Sequence, residues 1–93
     1  MEKLTLSDEY MEKANANAAK IHMYVKRSTR KNKKLDVYYE DETDKVASIG
    51  DIRYTDFLMT NDNEQRKRWI ARHRRHLEIG GSPAYFAFKI MWS

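Results

Sequence analysis

Leu35-Asp36-Val37-Tyr38-Tyr39-Glu40, followed after the acidic break Asp41-Glu42-Thr43-Asp44 by Lys45-Val46-Ala47-Ser48-Ile49-Gly50, is the stretch whose reading decides the fold. Leu35, Val37 and Tyr39 alternate with Asp36, Tyr38 and Glu40, a period of two that turns one set of side chains inward and the other outward. The second run is short and apolar and stops at Gly50-Asp51. Two such runs joined by a polar turn predict a β-hairpin over residues 35–50.

C-terminal to the hairpin, Tyr54, Phe57, Leu58 and Met59 form an apolar cluster expected to pack into the core as a turn of helix or a structured connection. Asn61 and Glu64 have capping-box spacing, which predicts a helix from about Asp62 to Ile79, ended by Gly80-Gly81. In the tail, Ser82-Pro83 is a good cap and first-turn pair and favours a helix. Phe86, Phe88, Ile90 and Trp92 at period two would equally suit a buried strand. In either conformation these aromatics are expected to supply the core.

Toward the N-terminus, residues 26–34 (Lys-Arg-Ser-Thr-Arg-Lys-Asn-Lys-Lys) contain no hydrophobic side chain and read as a solvated basic loop or arm. Residues 21–25 fit the end of a helix or a strand. Residues 7–20 predict a helix, with Ser7 to cap it, Asp8 and Glu9 in its first turn and alanines at 14, 16, 18 and 19. Its apolar stripe of Tyr10, Met11, Ala14, Ala18 and Ile21 is thin, as in a helix that packs weakly or an extension that a partner orders. The expected organisation is α+β: an N-terminal helical extension over residues 1–25, then a basic arm and small domain over residues 26–93. The domain combines the hairpin, a basic amphipathic helix and the aromatic C-terminal element.

Ninety-three residues, 41% hydrophobic and 34% charged, make one folded domain with a modest core, so any function lies on a surface or in a shallow cleft. The lack of cysteine excludes disulfides and thiolate metal sites. No apolar run approaches the roughly 18 residues of a membrane span, and the first six residues lack the plan of a signal peptide. No membrane partner is expected, and the expected location is a cell interior.

The net charge of +4 is segregated along the chain: residues 26–34 and 66–76 each hold six Lys or Arg and no acid. Between them, residues 35–65 carry nine acids against Lys45 and Arg53. The alternation gives the fold a cationic side unless the segments neutralise one another.

On the predicted basic helix, Trp69, Ile70, His73 and Leu77 share one face, and Arg68, Arg72 and Arg75 form a stripe at i, i+4, i+7 beside it, with Lys67 and Arg74 nearby. Guanidinium forks match phosphate oxygens and stay charged at any working pH, so this spacing suits a nucleic-acid backbone. Arg30, Lys31, Lys33 and Lys34 of the arm would add a second contact. The competing arrangement pairs the same arginines with the acidic hairpin and with Asp51, Asp56 and Asp62.

Tyr38, Tyr54 or Trp69 could stack on bases, although core packing accounts for most of the aromatics. His73 and His76 are three apart, but with only His22 besides and no cysteine a zinc site is disfavoured; His73 is expected in the packing face and His76 exposed. No nucleophile elbow, P-loop or HExxH is present, so no catalytic residue, metal or cofactor is assigned. A metal-dependent nuclease on Asp51, Asp56 or Glu64 is a remote alternative.

Residues 33–92 resemble a family of small proteins encoded by nucleocytoplasmic large DNA viruses, the giant-virus group. The residues that carry the resemblance are Lys33-Lys34-Leu35-Asp36-Val37, Ile49-Gly50-Asp51 with Tyr54-Thr55-Asp56-Phe57, Arg68-Trp69-Ile70-Ala71-Arg72-His73 and Ile90-Met91-Trp92. The chain departs from that family at Leu77-Glu78-Ile79, where a Trp is common, and at Met59, where a His is often found; residues 1–25 have no counterpart. The resemblance implies a viral context and no catalytic residue. It makes the expected partner double-stranded DNA or, alternatively, virion proteins met by a minor capsid or assembly protein, in a virion or the host-cell interior. An exposed aromatic patch at Tyr85, Phe86 and Trp92 would favour the protein partner or a homo-oligomer.

Overall fold

The computed structural model describes residues 6–41 and 43–93, so Glu42 of the acidic turn and residues 1–5 lie outside the described residues. The hairpin is present as β2 (Lys33–Tyr39) and β3 (Lys45–Asp51), antiparallel, with Leu35 opposite Ile49 and Val37 opposite Ala47. Leu35, Val37 and Ile49 are almost completely buried, but Tyr39 is 43% exposed and Lys34 and Asp36 on the other face are buried, so both faces of the middle of β2 are covered.

A further strand, β1 (Met23–Arg27), pairs antiparallel with β2, giving a meander in the order β1-β2-β3. The basic segment 26–34 is therefore not a solvated arm but the end of β1, a tight turn and the start of β2. Backbone bonds hold it where apolar side chains are lacking. Ser28 N–H donates to the Lys34 carbonyl at 2.9 Å and Lys33 N–H to that of Arg30 at 3.2 Å. Asn32 takes the left-handed conformation the turn needs, at φ 65°.

The helix α1 (Asp8–Ala19) is capped by Ser7, whose hydroxyl accepts from Tyr10 N–H at 3.0 Å. It is an integral layer of the fold. Tyr10, Ala14 and Ala18 are buried against Met23 and Val25 of β1 and against the C-terminal helix. A stripe that is thin in area suffices because alanines let the helix lie close to the sheet. Asn15 Oδ1 also accepts from Val25 N–H at 2.8 Å, satisfying a donor on the β1 edge. Residue 25, the expected end of an extension, lies inside β1.

The short helix α2 (Phe57–Thr60) connects the sheet to α3 (Asn63–Leu77), and α4 (Pro83–Met91) closes the core. The Ser82 cap and Pro83 decide the tail in favour of helix: Phe86, Ala87, Ile90 and Met91 are buried at helical spacing while Phe88 is only half-buried. Phe86 and Trp92 are buried, as core-forming aromatics, and Tyr85 is half-buried, so these three leave no exposed aromatic patch. Phe57, Leu58 and Met59 pack against the core, but Tyr54 does not: it is 65% exposed because it precedes α2 in a turn outside any packed face. At Gly50, φ is 77° and the helix α4 sits down directly on β3, so a side chain there would run into Met91. Among the described residues no helix is long and apolar enough to cross a membrane.

Candidate nucleic-acid interface

The basic helix α3 starts where polar chemistry dictates. Asn61, at φ 53°, ends α2, and Asp62 caps α3 by accepting from the N–H groups of Glu64 (2.9 Å) and Gln65 (3.1 Å), one residue later than the Asn61 cap expected from spacing. Trp69 is its one buried residue; Ile70 and Leu77 are partly buried beside it. The Trp69 ring stacks on Trp92 (centroids 5.0 Å apart) and on His73 (4.2 Å). Since the Trp69 carbonyl can only accept, His73 Nδ1–H donates to it at 2.9 Å. With both neighbours on its ring, Trp69 is an anchor of α3 and not a platform for a base. Arg66 also belongs to the anchored side: its Nε–H donates to the Trp92 carbonyl at 2.6 Å and its guanidinium lies over Phe57.

Arg68, Arg72, Arg74 and Arg75 are exposed and form no ion pair among the described residues. At 3.6 residues per turn, Arg68, Arg72 and Arg75 make one row and Lys67 and Arg74 another, flanking the face that carries Trp69, His73 and Leu77. Lys67 meets only Glu64, at 3.7 Å in an exposed pair.

Several acids that could have quenched this ridge are engaged elsewhere, and Asp41, Asp44 and Glu78 are exposed and form no ion pair with it. Asp51 is held by Arg53 at 2.7 Å, Asp62 caps α3, and Glu40 faces His22 at 3.9 Å. The Arg53 hydrogen bonds keep the Asp51 carboxyl down at about 2. Asp36, on the sheet, accepts from Ser28 Oγ and Ser48 Oγ, each at 2.7 Å, with Lys45 Nζ at 3.9 Å. Burial pushes its carboxyl upward, but these hydroxyls and the Lys45 charge outweigh that and hold it below its usual value.

Lys34 is corrected outright. Its side chain is buried, and Nζ donates to Asp56 Oδ2 at 2.8 Å, so no phosphate can reach it. The same oxygen accepts from Tyr10 Oη at 2.7 Å, and Asp56 Oδ1 accepts from Met59 N–H at 3.2 Å. Burial first, then the adjacent Asp56 charge and hydrogen bond, pushes the Tyr10 hydroxyl far above its usual value, so it stays a donor. This node ties α1, β2 and α2 together across 46 residues of sequence, a distance at which no local pattern signals the pairing.

The other arm residues divide. Arg30 and Lys31 are exposed at the β1–β2 turn. Lys33 is half-buried and, with Arg72, lines a cleft of about 460 Å3 between the end of β3 and the helices α3 and α4. The fold thus brings cations of both basic segments to a common cavity, Lys33 and the Asp56-paired Lys34 from one and Arg72 from the other. Arg30, Lys31, Lys67, Arg68, Arg74 and Arg75 take no part in its lining. His73 lines it and His76 is exposed; among the described residues no group of three or more His, Asp or Glu is placed to hold a metal.

Residues 23–73, more than half of the chain, match the family of unknown function DUF5754. The chain belongs to this family. The DUF5754 segment runs from the first residue of β1 to His73 in α3. It therefore contains the whole sheet, the Lys34–Asp56 pair, Trp69 and Arg72, while Tyr10 and Trp92, which complete the two buried clusters, lie outside it. No curated protein and no solved structure matches the chain.

Proposed function

We propose that the protein is a non-enzymatic binding protein that meets the phosphate backbone of double-stranded DNA through the exposed ridge of α3. The observation that carries this reading is the set of arginines at 68, 72, 74 and 75, exposed and without acidic partners among the described residues. A helix that anchors itself by Trp69 and leaves guanidiniums in water offers contacts that position on a backbone without reading sequence. Arg30 and Lys31 add charge at the β1–β2 turn, and Lys33 adds it at the cleft; Lys34 adds none. In the viral context that the sequence resemblance implies, the ligand is a packaged genome.

The test is the affinity of random-sequence duplex at low salt, for the native chain and for a variant with glutamine at 68, 72, 74 and 75. The native chain binds, every duplex sequence binds alike, and the variant loses about a hundredfold or more, since each charge-assisted contact contributes on the order of 1 kcal/mol. Failure of the native chain to bind duplex at low salt removes the reading. Binding to acidic virion proteins in its place would move the same ridge to a structural role in assembly.

A further inference from the structure

The cleft beside α3 is not needed to explain contact between an exposed helix and a backbone, and its chemistry differs from that of the ridge. Its volume of about 460 Å3 lies within the range of small-molecule sites. The α4 side of its lining is apolar, with Ala84, Ala87 and Met91. Facing walls carry Lys33 from β2 and Arg72 from α3. The acids in the lining are already engaged: Asp56 by the buried Lys34, and Asp51 by Arg53 through bonds of 3.0 and 2.7 Å. Arg72 thus has no acidic partner among the described residues, and Lys33, opposite Asp51 across the β2–β3 pair, shares that carboxylate with Arg53. Tyr54, 65% exposed, stands in the same lining with the Arg53 guanidinium over its ring, 5.8 Å from the centroid.

Two cations lining one cleft suit a phosphate dianion, and an apolar wall with an exposed aromatic ring suits a flat heterocycle. We propose that this cleft binds a nucleoside monophosphate group, held at its phosphate by Lys33 and Arg72, with its base covered by the apolar lining and Tyr54. Such a group occurs free, as a mononucleotide, and as the phosphorylated 5′ terminus of a strand. The site shares Lys33 and Arg72 with the duplex reading, whereas Arg68 and Arg75 belong to the ridge alone, so the two are separable by substitution.

Adenosine monophosphate is titrated into the full chain and followed by calorimetry and by the fluorescence of Trp69 and Trp92, both of which line the cleft. Adenosine and inorganic phosphate serve as comparison ligands. Adenosine monophosphate binds at least about tenfold more tightly than either. Lys33→Ala and Arg72→Ala, both at solvent-accessible positions, each weaken it by about tenfold, and Ala84→Phe, which fills the cleft from α4, abolishes it. Arg68→Ala/Arg75→Ala weakens duplex binding and leaves the mononucleotide untouched. Displacement of the mononucleotide by a 5′-phosphorylated oligonucleotide, but not by its 5′-hydroxyl counterpart, identifies a strand end as the source; displacement by neither identifies the free nucleotide. No heat or fluorescence change at millimolar adenosine monophosphate overturns the proposal. So does affinity indifferent to both Lys33→Ala and Arg72→Ala, or adenosine bound as tightly as its phosphate.

Discussion

Lys34 and Asp56 are each about 2% exposed, and the consequence of removing either follows from that burial. Lys34→Met leaves a carboxylate in the interior with only Tyr10 Oη and Met59 N–H as donors, and about 3 to 5 kcal/mol of stability is lost. Lys34→Met/Asp56→Leu recovers most of it, because the pair is then replaced by apolar volume with no charge left over. Urea denaturation of the three chains measures both effects. Asp36 gives a pH prediction of definite sign. Its folded carboxyl titrates below the ordinary value of 3.8, so it contributes stability that is present above that value and lost as pH falls through the lower folded one. Ser48→Ala removes one hydroxyl donor and brings the folded carboxyl nearer its unfolded value, so the acid-linked loss is smaller than in the native chain and complete at higher pH, read as the urea midpoint between about pH 5 and 2 in about half-unit steps. None of these long-range partnerships is legible in the sequence. Lys34 lies in a run of cations indistinguishable by type from Lys33, and only the fold sends one inward and leaves the other at a cleft.

At the scale of the element, boundaries set by local chemistry are legible and those set by tertiary contact are not. The Ser82-Pro83 pair, the Ser7 cap and the alternation from Leu35 each act within a few residues; α4 and α1 start where those signals place them, and β2 starts two residues before the alternation, at Lys33. The strand β1 escapes a reading by hydrophobic pattern because its second half is Lys26-Arg27, held by pairing to Asp36 and Leu35 and not by burial. The ridge on α3 is legible because i, i+4, i+7 spacing needs no tertiary information, whereas the cleft is not, since its walls come from segments about 40 residues apart. Asp62→Ala should lower stability by about 1 kcal/mol through loss of the α3 cap. Gly50→Ala should cost about 2 kcal/mol or more, combining left-handed strain with overpacking against Met91. Thermal melts monitored at the helical band check both, and a Gly50→Ala chain as stable as the native one would refute the close seating of α4 on β3.

For the whole molecule, the alternation of charge along the chain resolves, among the described residues, into four aspartates engaged locally and four α3 arginines without an acidic partner. Asp36, Asp51, Asp56 and Asp62 each serve a neighbour or a backbone end, so a chain of net charge only +4 still presents a concentrated cationic ridge. The large hydrophobic side chains left exposed, Tyr39, Val46, Tyr54 and Ile79, belong to different elements and give no single apolar patch. The interaction expected of such a surface is electrostatic, and its signature is the release of counterions from the partner. The decisive measurement is therefore the affinity for random-sequence duplex across a series of salt concentrations. Engagement of about four or five phosphates by the α3 ridge gives a log-log slope near −4, which the quadruple glutamine variant flattens toward zero. A native slope no steeper than about −1, or one that the variant leaves unchanged, would contradict the account.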